Sequence, residues 1–446
     1  MQNYPPPGNQ TNFVNFSAST ITLPSNNDYG PYNICTSTSG KFIYILSWYA
    51  FSGGKYTDRI QYIDLSNNQS GISTLNFSTL DKSDTYPTSC QSHIVCDPTG
   101  QVVVASDYSV GNNCLKLMLS NNYGRTFSYI SKFTYPSWIT SAPQFGDIRV
   151  IDINTMYLFG TIKTSGVTYS GGGALYKITN LNTWITGGTS NSAPTISVVF
   201  NDTNYFLINS YQMVAYFSSS INEQNMYMFS KRLSDQNFNA LCYSTNTGTS
   251  WQTVSGQLPT TTLTNINKDG PSIMCDSTGQ YVAIGQTGWG LITGSNGSTH
   301  PYASFGLRTT AILSEYVGLF LSNDNGSSFK NIVPAPTLVS NVSFGTNSSN
   351  GKTYLGAICV LPSTATTIYY YILIGSVTTG KSIWTFNKGN INSTGINSCT
   401  SNISVGPNLP VTISISPDGT VATVVCTAPG TSPMTSSMYN ISLSAY

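Results

Sequence analysis

The chain has 446 residues, too many for one ordinary core unless it is a large barrel or an array of repeats. Only 8% of residues are charged and the formal net charge is +1, so no field draws in nucleic acid or an anionic membrane surface. With 39 Gly, 29 Tyr and 12% aromatic residues, the composition reads as ordered strand and turn, wetted by hydroxyls and amides rather than ions.

The start, "MQNYPPPGNQTNF", lacks a basic n-region and an apolar h-region, so no signal peptide is expected. No apolar run approaches the roughly 18 residues of a membrane span, and direct membrane insertion is not expected. Residues 1–11 read as a tail, and residues 12–24, around "TNFVNFSASTITL", as a spare strand. A tight turn running into an alternating strand then recurs as "CTSTSGKFIYIL" from Cys35 and "CDPTGQVVVA" from Cys96. Glycine supplies a left-handed position there, and Asp or Ser bonds its own turn backbone. A second phrase, "LSNNYGRTFSYI", follows from Leu119. "RVIDINTMYLFGTI" with "GGALYKITNLNTWI" makes a third unit. "MVAYFSSSINEQNMYMFSKRL" with "YSTNTGTSWQTV" makes a fourth, and "CDSTGQYVAI" with "LSNDNGSSFKNI" a fifth. "AICVLPSTATTIYYYILIGS" with "KSIWTF" reads as a sixth, and a seventh runs from near Val411 through "SPDGTVATVV" to Tyr446.

Turns centred near residues 38, 98, 153, 221, 277, 363 and 418 give seven units of about 63 residues each. Each unit is written strand a, turn, strand b, loop, strand c, Ser-x-Asn/Asp-x-Gly turn, strand d. The seventh lacks a fourth strand, and the spare N-terminal strand can supply it. The expectation is an all-β chain: one seven-bladed β-propeller over residues 1–446, with four-stranded antiparallel blades closed by the N-terminal strand.

The second phrase resembles the Asp-box, Ser-x-Asp-x-Gly-x-x-Trp, also called the bacterial neuraminidase repeat, of sialidases and sortilin-type receptors. The matching positions are Ser120, Asn122, Gly124 and Phe127; Ser244, Asn246, Gly248 and Trp251; and Ser322, Asp324, Gly326 and Phe329. The resemblance implies propeller architecture. "STGQYVAI" followed by such a box is also similar to repeat proteins of large DNA viruses and aquatic microbes. Physically, the Asp or Asn should cap its own turn, glycine take a left-handed conformation, and the aromatic pack between sheets. The boxes are expected to build blades rather than to hold carbohydrate or metal.

Meander connectivity puts a–b and c–d turns on one face and the b–c and d–a loops on the other, where function usually sits. The longest b–c loop, residues 287–316, holds Trp289, His300, Tyr302, Arg308 and Glu315. Tyr56, Asp58 and Arg59, Asp107 and Tyr108, Tyr135 and Trp138, and Arg232 and Asp235 are further loop-face candidates. Of these, Tyr56, Arg59 and Tyr108 join the five loop residues as the partner-binding set.

A sialidase-like site implies three arginines on a carboxylate, a Tyr–Glu nucleophile pair and an acidic Asp. The chain has five arginines (59, 125, 149, 232, 308) and two glutamates (223, 315), and Arg125 lies in a box turn. "DRIQ" and "DIRV" are poor substitutes for the family's Arg-Ile-Pro signature. No catalytic residues are assigned, although a two-carboxylate glycosidase from Asp58, Asp107 or Glu315 stays open.

Nine cysteines show no metal spacing. "CQSHIVC" leaves open a Cys90–Cys96 bridge, a site with His93, or ordinary thiols, the last being expected. No cofactor and no metal are expected. The sequence therefore points to a non-enzymatic interaction or structural propeller, without a recognisable signal peptide, on a virion or cell surface. Its partners would be proteins in an assembly, glycans, or both. The alternative is a lectin or a degenerate sialidase-like hydrolase.

Overall fold

The computed structural model describes residues 18–23, 31–51, 55–74, 94–109, 114–129, 145–163, 171–182, 195–202, 215–231, 238–254, 271–286, 319–333, 338–364, 367–378, 381–392, 395–401, 409–427 and 436–444. These residues form seven antiparallel sheets. The chain opens with β1 (Ala18–Ile21). Blade one is β2 (Pro31–Thr36), β3 (Phe42–Phe51), β4 (Lys55–Asp64) and β5 (Gln69–Thr74). Blade two is β6 (Ile94–Cys96), β7 (Val103–Ser109), β8 (Cys114–Ser120) and β9 (Ser128–Tyr129). Blade three is β10 (Phe145–Val150), β11 (Met156–Lys163), β12 (Gly171–Thr179) and β13 (Thr195–Asp202). Blade four is β14 (Ala215–Ser219), β15 (Met226–Lys231), β16 (Phe238–Ser244) and β17 (Gln252–Val254). Blade five is β18 (Pro271–Cys275), β19 (Val282–Gln286), β20 (Leu319–Ser322) and β21 (Lys330–Val333).

Blade six has five strands: β22 (Leu338–Asn347), β23 (Lys352–Thr364), β24 (Thr367–Ser376), β25 (Lys381–Asn392) and β26 (Gly395–Ser401). Blade seven joins β27 (Leu409–Ile415), β28 (Val421–Thr427) and β29 (Ser436–Ser442) to β1, which pairs antiparallel with β29. The ring thus closes between the two ends of the chain, as the spare N-terminal strand suggests. Of residues 12–24, the closing pairs use Ala18 to Ile21; residues 12–17 lie outside the described residues. The seven first strands, β2, β6, β10, β14, β18, β22 and β27, touch one another in a closed inner ring.

One hydrogen bond sets the phase of every blade. A backbone N–H entering the c–d turn reaches a carbonyl of the a–b turn, or in blade six of the start of strand b. The pairs are Leu65 to Lys41, Tyr123 to Gln101, Leu181 to Asn154, Thr247 to Gln224, Asn325 to Gln280, Val377 to Thr353 and Leu443 to Thr420. In blade six this places the a–b turn at residues 348–351, not near 363. Residues 365–366 instead join strands b and c. "LPSTATT" reads like a turn in sequence, but its register continues the long β23–β24 hairpin.

The apolar core lies as slabs between neighbouring sheets. Tyr44, Leu46 and Ile60 of blade one pack on Ile94, Val103 and Met118 of blade two. Ile358 and Ile372 of blade six meet Ile413, Val424 and Ile441 of blade seven. Val425 and Met438 of blade seven meet Ile34, Ile43 and Ile63 of blade one, completing the circuit. Strands buried on both faces read as near-continuous apolar runs, as "FIYIL" and "VVVA" do.

Candidate functional site

The a–b and c–d turns share one face and are stapled to each other. In the three Ser-x-Asn/Asp-x-Gly turns the serine is the hub. Ser322 is fully buried; its Oγ accepts from the N–H of Asp324 (3.3 Å) and Gly326 (2.9 Å) and donates to Asp324 Oδ1 (2.7 Å). Asp324 in turn accepts from the Ser328 N–H at 2.9 Å and from its hydroxyl. Ser120 with Asn122, and Ser244 with Asn246, repeat this pattern. Gly124, Gly248 and Gly326 have φ of 71°, 75° and 77°. The residues before them, Tyr123, Thr247 and Asn325, are left-handed as well, a second strained position that the motif does not spell out. Trp251 lies edge-on to Phe200 of the preceding blade at 5.0 Å, while Phe127 and Phe329 pack on slabs that join neighbouring blades. The turns are therefore structural, as their residue types imply.

Four strand-b tyrosines, not singled out by motif, lock blades to one another. Tyr44 Oη donates to the Gly100 carbonyl at 2.6 Å, Tyr227 to Gly279 at 2.5 Å and Tyr354 to Leu443 at 3.2 Å. Each acceptor belongs to the next blade. A Cβ on Gly124 would come within 2.8 Å of the Tyr44 ring, and one on Gly326 within 2.8 Å of Tyr227, so these glycines are required by contact as well as by φ. Tyr157 and Lys177 of blade three both bind the Glu223 carboxylate of blade four. Burial first, then the contact with Glu223, pushes the Tyr157 hydroxyl well above its ordinary pKa. Asp64 and Gln69 hold the Arg125 guanidinium at 3.3 and 2.9 Å across blades one and two, so Arg125 is occupied as expected. The recurring sequence signal was a Tyr at the second or third residue of strand b.

The b–c and d–a connections emerge at the opposite face. Tyr56 opposes Ala50 and Tyr108 opposes Leu115 near the b–c ends of blades one and two, whereas Arg59 opposes Ser47 in the middle of the blade-one hairpin. Arg59 is half-buried on β4. Trp289, His300, Tyr302, Arg308 and Glu315 lie outside the described residues, as do Tyr135, Trp138, Arg232, Asp235, Cys90 and His93. Cys96 is a free thiol among the described residues, and Cys90 lies outside them. Cys96 sits against Cys35 of blade one, whose pKa is raised well above the usual by burial and by Cys96.

The inner ring carries its own polar pattern. The residue two before the a–b turn in one blade meets the residue one before the turn in the next. Cys35 meets Cys96 in this way, Ser218 Oγ lies 3.3 Å from Cys275 Sγ, and Ser414 Oγ lies 2.9 Å from Thr36 Oγ1. Around the ring the first of these positions is filled by Cys35, Val95, Arg149, Ser218, Met274, Gly345 and Ser414, in which Arg149 is the one charge. Arg149 Nη1 lies 3.9 Å from Met274 Sδ, and Ser218 Oγ lies 3.7 Å from the same sulfur. The first contact runs from blade three to blade five and skips blade four, so the guanidinium lies along the inside of the ring.

No protein-family model and no curated protein matches the chain. Among solved structures, it is similar to a putative 6-phosphogluconolactonase from Bacteroides uniformis, with 14% identity, TM-score 0.42, and coverage of 87% of this chain and 89% of that one. An oligogalacturonate lyase from Vibrio parahaemolyticus shows 9% identity and TM-score 0.42 over 96% and 97% of the two chains. The β-propeller domain of the trilobed protease from Pyrococcus furiosus shows 8% identity and TM-score 0.32 over 80% and 95%. Scores this low carry no inference about activity.

Proposed function

We propose that the chain is a non-enzymatic propeller of the Asp-box kind, acting as an interaction or structural module on the surface of a virion or cell. It engages protein or glycan through the face of b–c and d–a loops. One observation supports this reading above the others. In all seven blades a backbone hydrogen bond ties the c–d turn to the a–b end on one face, so the strand ends that lead into the b–c and d–a connections lie at the opposite face. A rigid scaffold that presents variable loops on one side is suited to recognition. Low charge fits the role, because few ions need desolvation when such a surface is buried in an assembly.

The test is a glycan array and a fluorogenic sialoside assay on the purified chain, with identification of whatever co-purifies with the native protein. Retention of a glycan or of a stoichiometric protein partner, without turnover, supports the reading. Sialoside turnover would replace it with a hydrolase.

A further inference from the structure

We infer that the inner ring holds a site for a small organic carboxylate, centred on the Arg149 guanidinium. The inference goes beyond the loop-face reading and does not depend on it.

Arg149 is half-buried, and its Nε is buried without a hydrogen-bond partner. Its one hydrogen-bond contact is the thioether of Met274, a weak acceptor. Among the described residues no carboxylate pairs with it; the two ion pairs there are Arg125–Asp64 and Lys177–Glu223. The nearby Cys275 thiol cannot serve as counter-ion, because burial pushes it up to about 12. Asp276, the next residue, spends its oxygens on the Thr278 N–H and hydroxyl and on the Tyr281 N–H. Among the described residues, this guanidinium with its five donors meets no anion, and its charge is uncompensated there.

A second, independent observation lies beside it. Ser219 is fully buried, and its Oγ has no partner either. Extended to blades three and four, the ring pattern that joins Cys35 to Cys96, Ser218 to Cys275 and Ser414 to Thr36 assigns Ser219 as the counterpart of Arg149. Two unsatisfied polar groups on the inner strands of adjacent blades, one charged and one a hydroxyl, are the donors an acceptor ligand would use.

The charge count chooses the class of ligand. One cation among neutral described neighbours balances one negative charge, whereas a dianion would leave a charge unpaired beside the buried Nε. A planar carboxylate matches the guanidinium fork with two parallel bonds. Val95 and Met274 on the same ring offer apolar contact to a short aliphatic body.

The experiment uses the full chain and titrates acetate, butyrate, acetamide and inorganic phosphate at constant ionic strength. Binding is read by ligand-observed saturation-transfer NMR and by Tm. Acetate and butyrate are expected to bind and raise Tm, and acetamide and phosphate to bind at least tenfold more weakly. Arg149→Met should abolish carboxylate binding while keeping or raising Tm without ligand, since it removes an unpaired charge. Arg149→Lys keeps the charge but not the fork, and should weaken binding about tenfold. A protein shortened in the loop of residues 287–316 should bind carboxylate unchanged, which separates this site from the loop face. Carboxylates without effect on the wild-type chain would overturn the inference. So would acetamide binding as well as acetate, or equal carboxylate binding by Arg149→Met.

Discussion

Replacing Ser322 should harm the protein more than replacing Asp324, although the motif is named for the acid. The Ser322 oxygen accepts from two backbone N–H groups and is fully buried, and Gly326, which supplies one of them, is buried too. Ser322→Ala strands that donor without water, which costs about 1–3 kcal/mol. Asp324→Ala removes a local cap at a half-buried position and should cost about 0.5–2 kcal/mol. Asp324→Asn keeps the Oδ1 acceptor, as Asn122 and Asn246 do in the sibling turns, and should stay within about 0.5 kcal/mol. Acidity adds a second handle. Burial alone would raise the Asp324 pKa, but bonds from Ser328 and Ser322 overcome it and hold the group below its ordinary 3.8. A carboxylate lowered in the folded state lends stability that is present above its unfolded pKa and lost as pH falls through the folded one. Wild type should therefore lose stability below about pH 4 by a margin that Asp324→Asn lacks. Urea midpoints at neutral and acid pH measure both effects. If Asp324→Asn costs as much as Ser322→Ala at neutral pH, the serine is not the hub.

Removing residues 1–24 takes away β1 and bares the edge of β29, so Tm should fall sharply and light scattering rise; a truncated chain that melts like the intact one would place closure elsewhere. Trp251→Ala should cost about 3 kcal/mol, the low end for aromatic truncation because the indole is only half-buried, through loss of its Phe200 contact and its 3.0 Å bond to the Gly248 carbonyl. Burial holds Cys275 at about 12, so iodoacetamide at about pH 8 should label it only when the protein unfolds; fast labelling of folded protein, read by peptide mass mapping, would contradict the packing.

Repeats were legible where local chemistry forces a turn. "CDPTG", "CDSTG" and the three Ser-x-Asn/Asp-x-Gly phrases each require a left-handed glycine and a side-chain acceptor, and they mark blades two, four and five and the turn face. Blade six was misplaced because "SFGTNSSNGKTYLG" makes its a–b turn with Asn347 and Asn350 instead of the Asp-x-Thr-Gly set, while "LPSTATT" imitates one. The tyrosine locks were hidden because their acceptors lie about 50–90 residues away in the next blade, so no local pattern announces them. Arg149 looked like a failed arginine signature in "DIRV". Its isolation shows only when the seven first strands are brought into one ring. Of the expected loop-face set, Tyr56 and Tyr108 lie in strands near the b–c end of their blades, and Arg59 lies in the middle of β4.

The division of labour between the two faces is tested most directly by shortening the longest b–c loop. Residues 287–316 are replaced with a Gly-Asn turn, and the chain is assayed beside the wild type for Tm, for glycan-array signal and for retention of the co-purifying protein. The loop joins β19 to β20 and supplies neither strand, and the Ser322 turn and the Tyr227 lock both lie on the opposite face. The account predicts an unchanged Tm with attachment lost or weakened at least tenfold. An unchanged Tm with undiminished attachment would contradict it, and recognition would then have to be sought away from this loop.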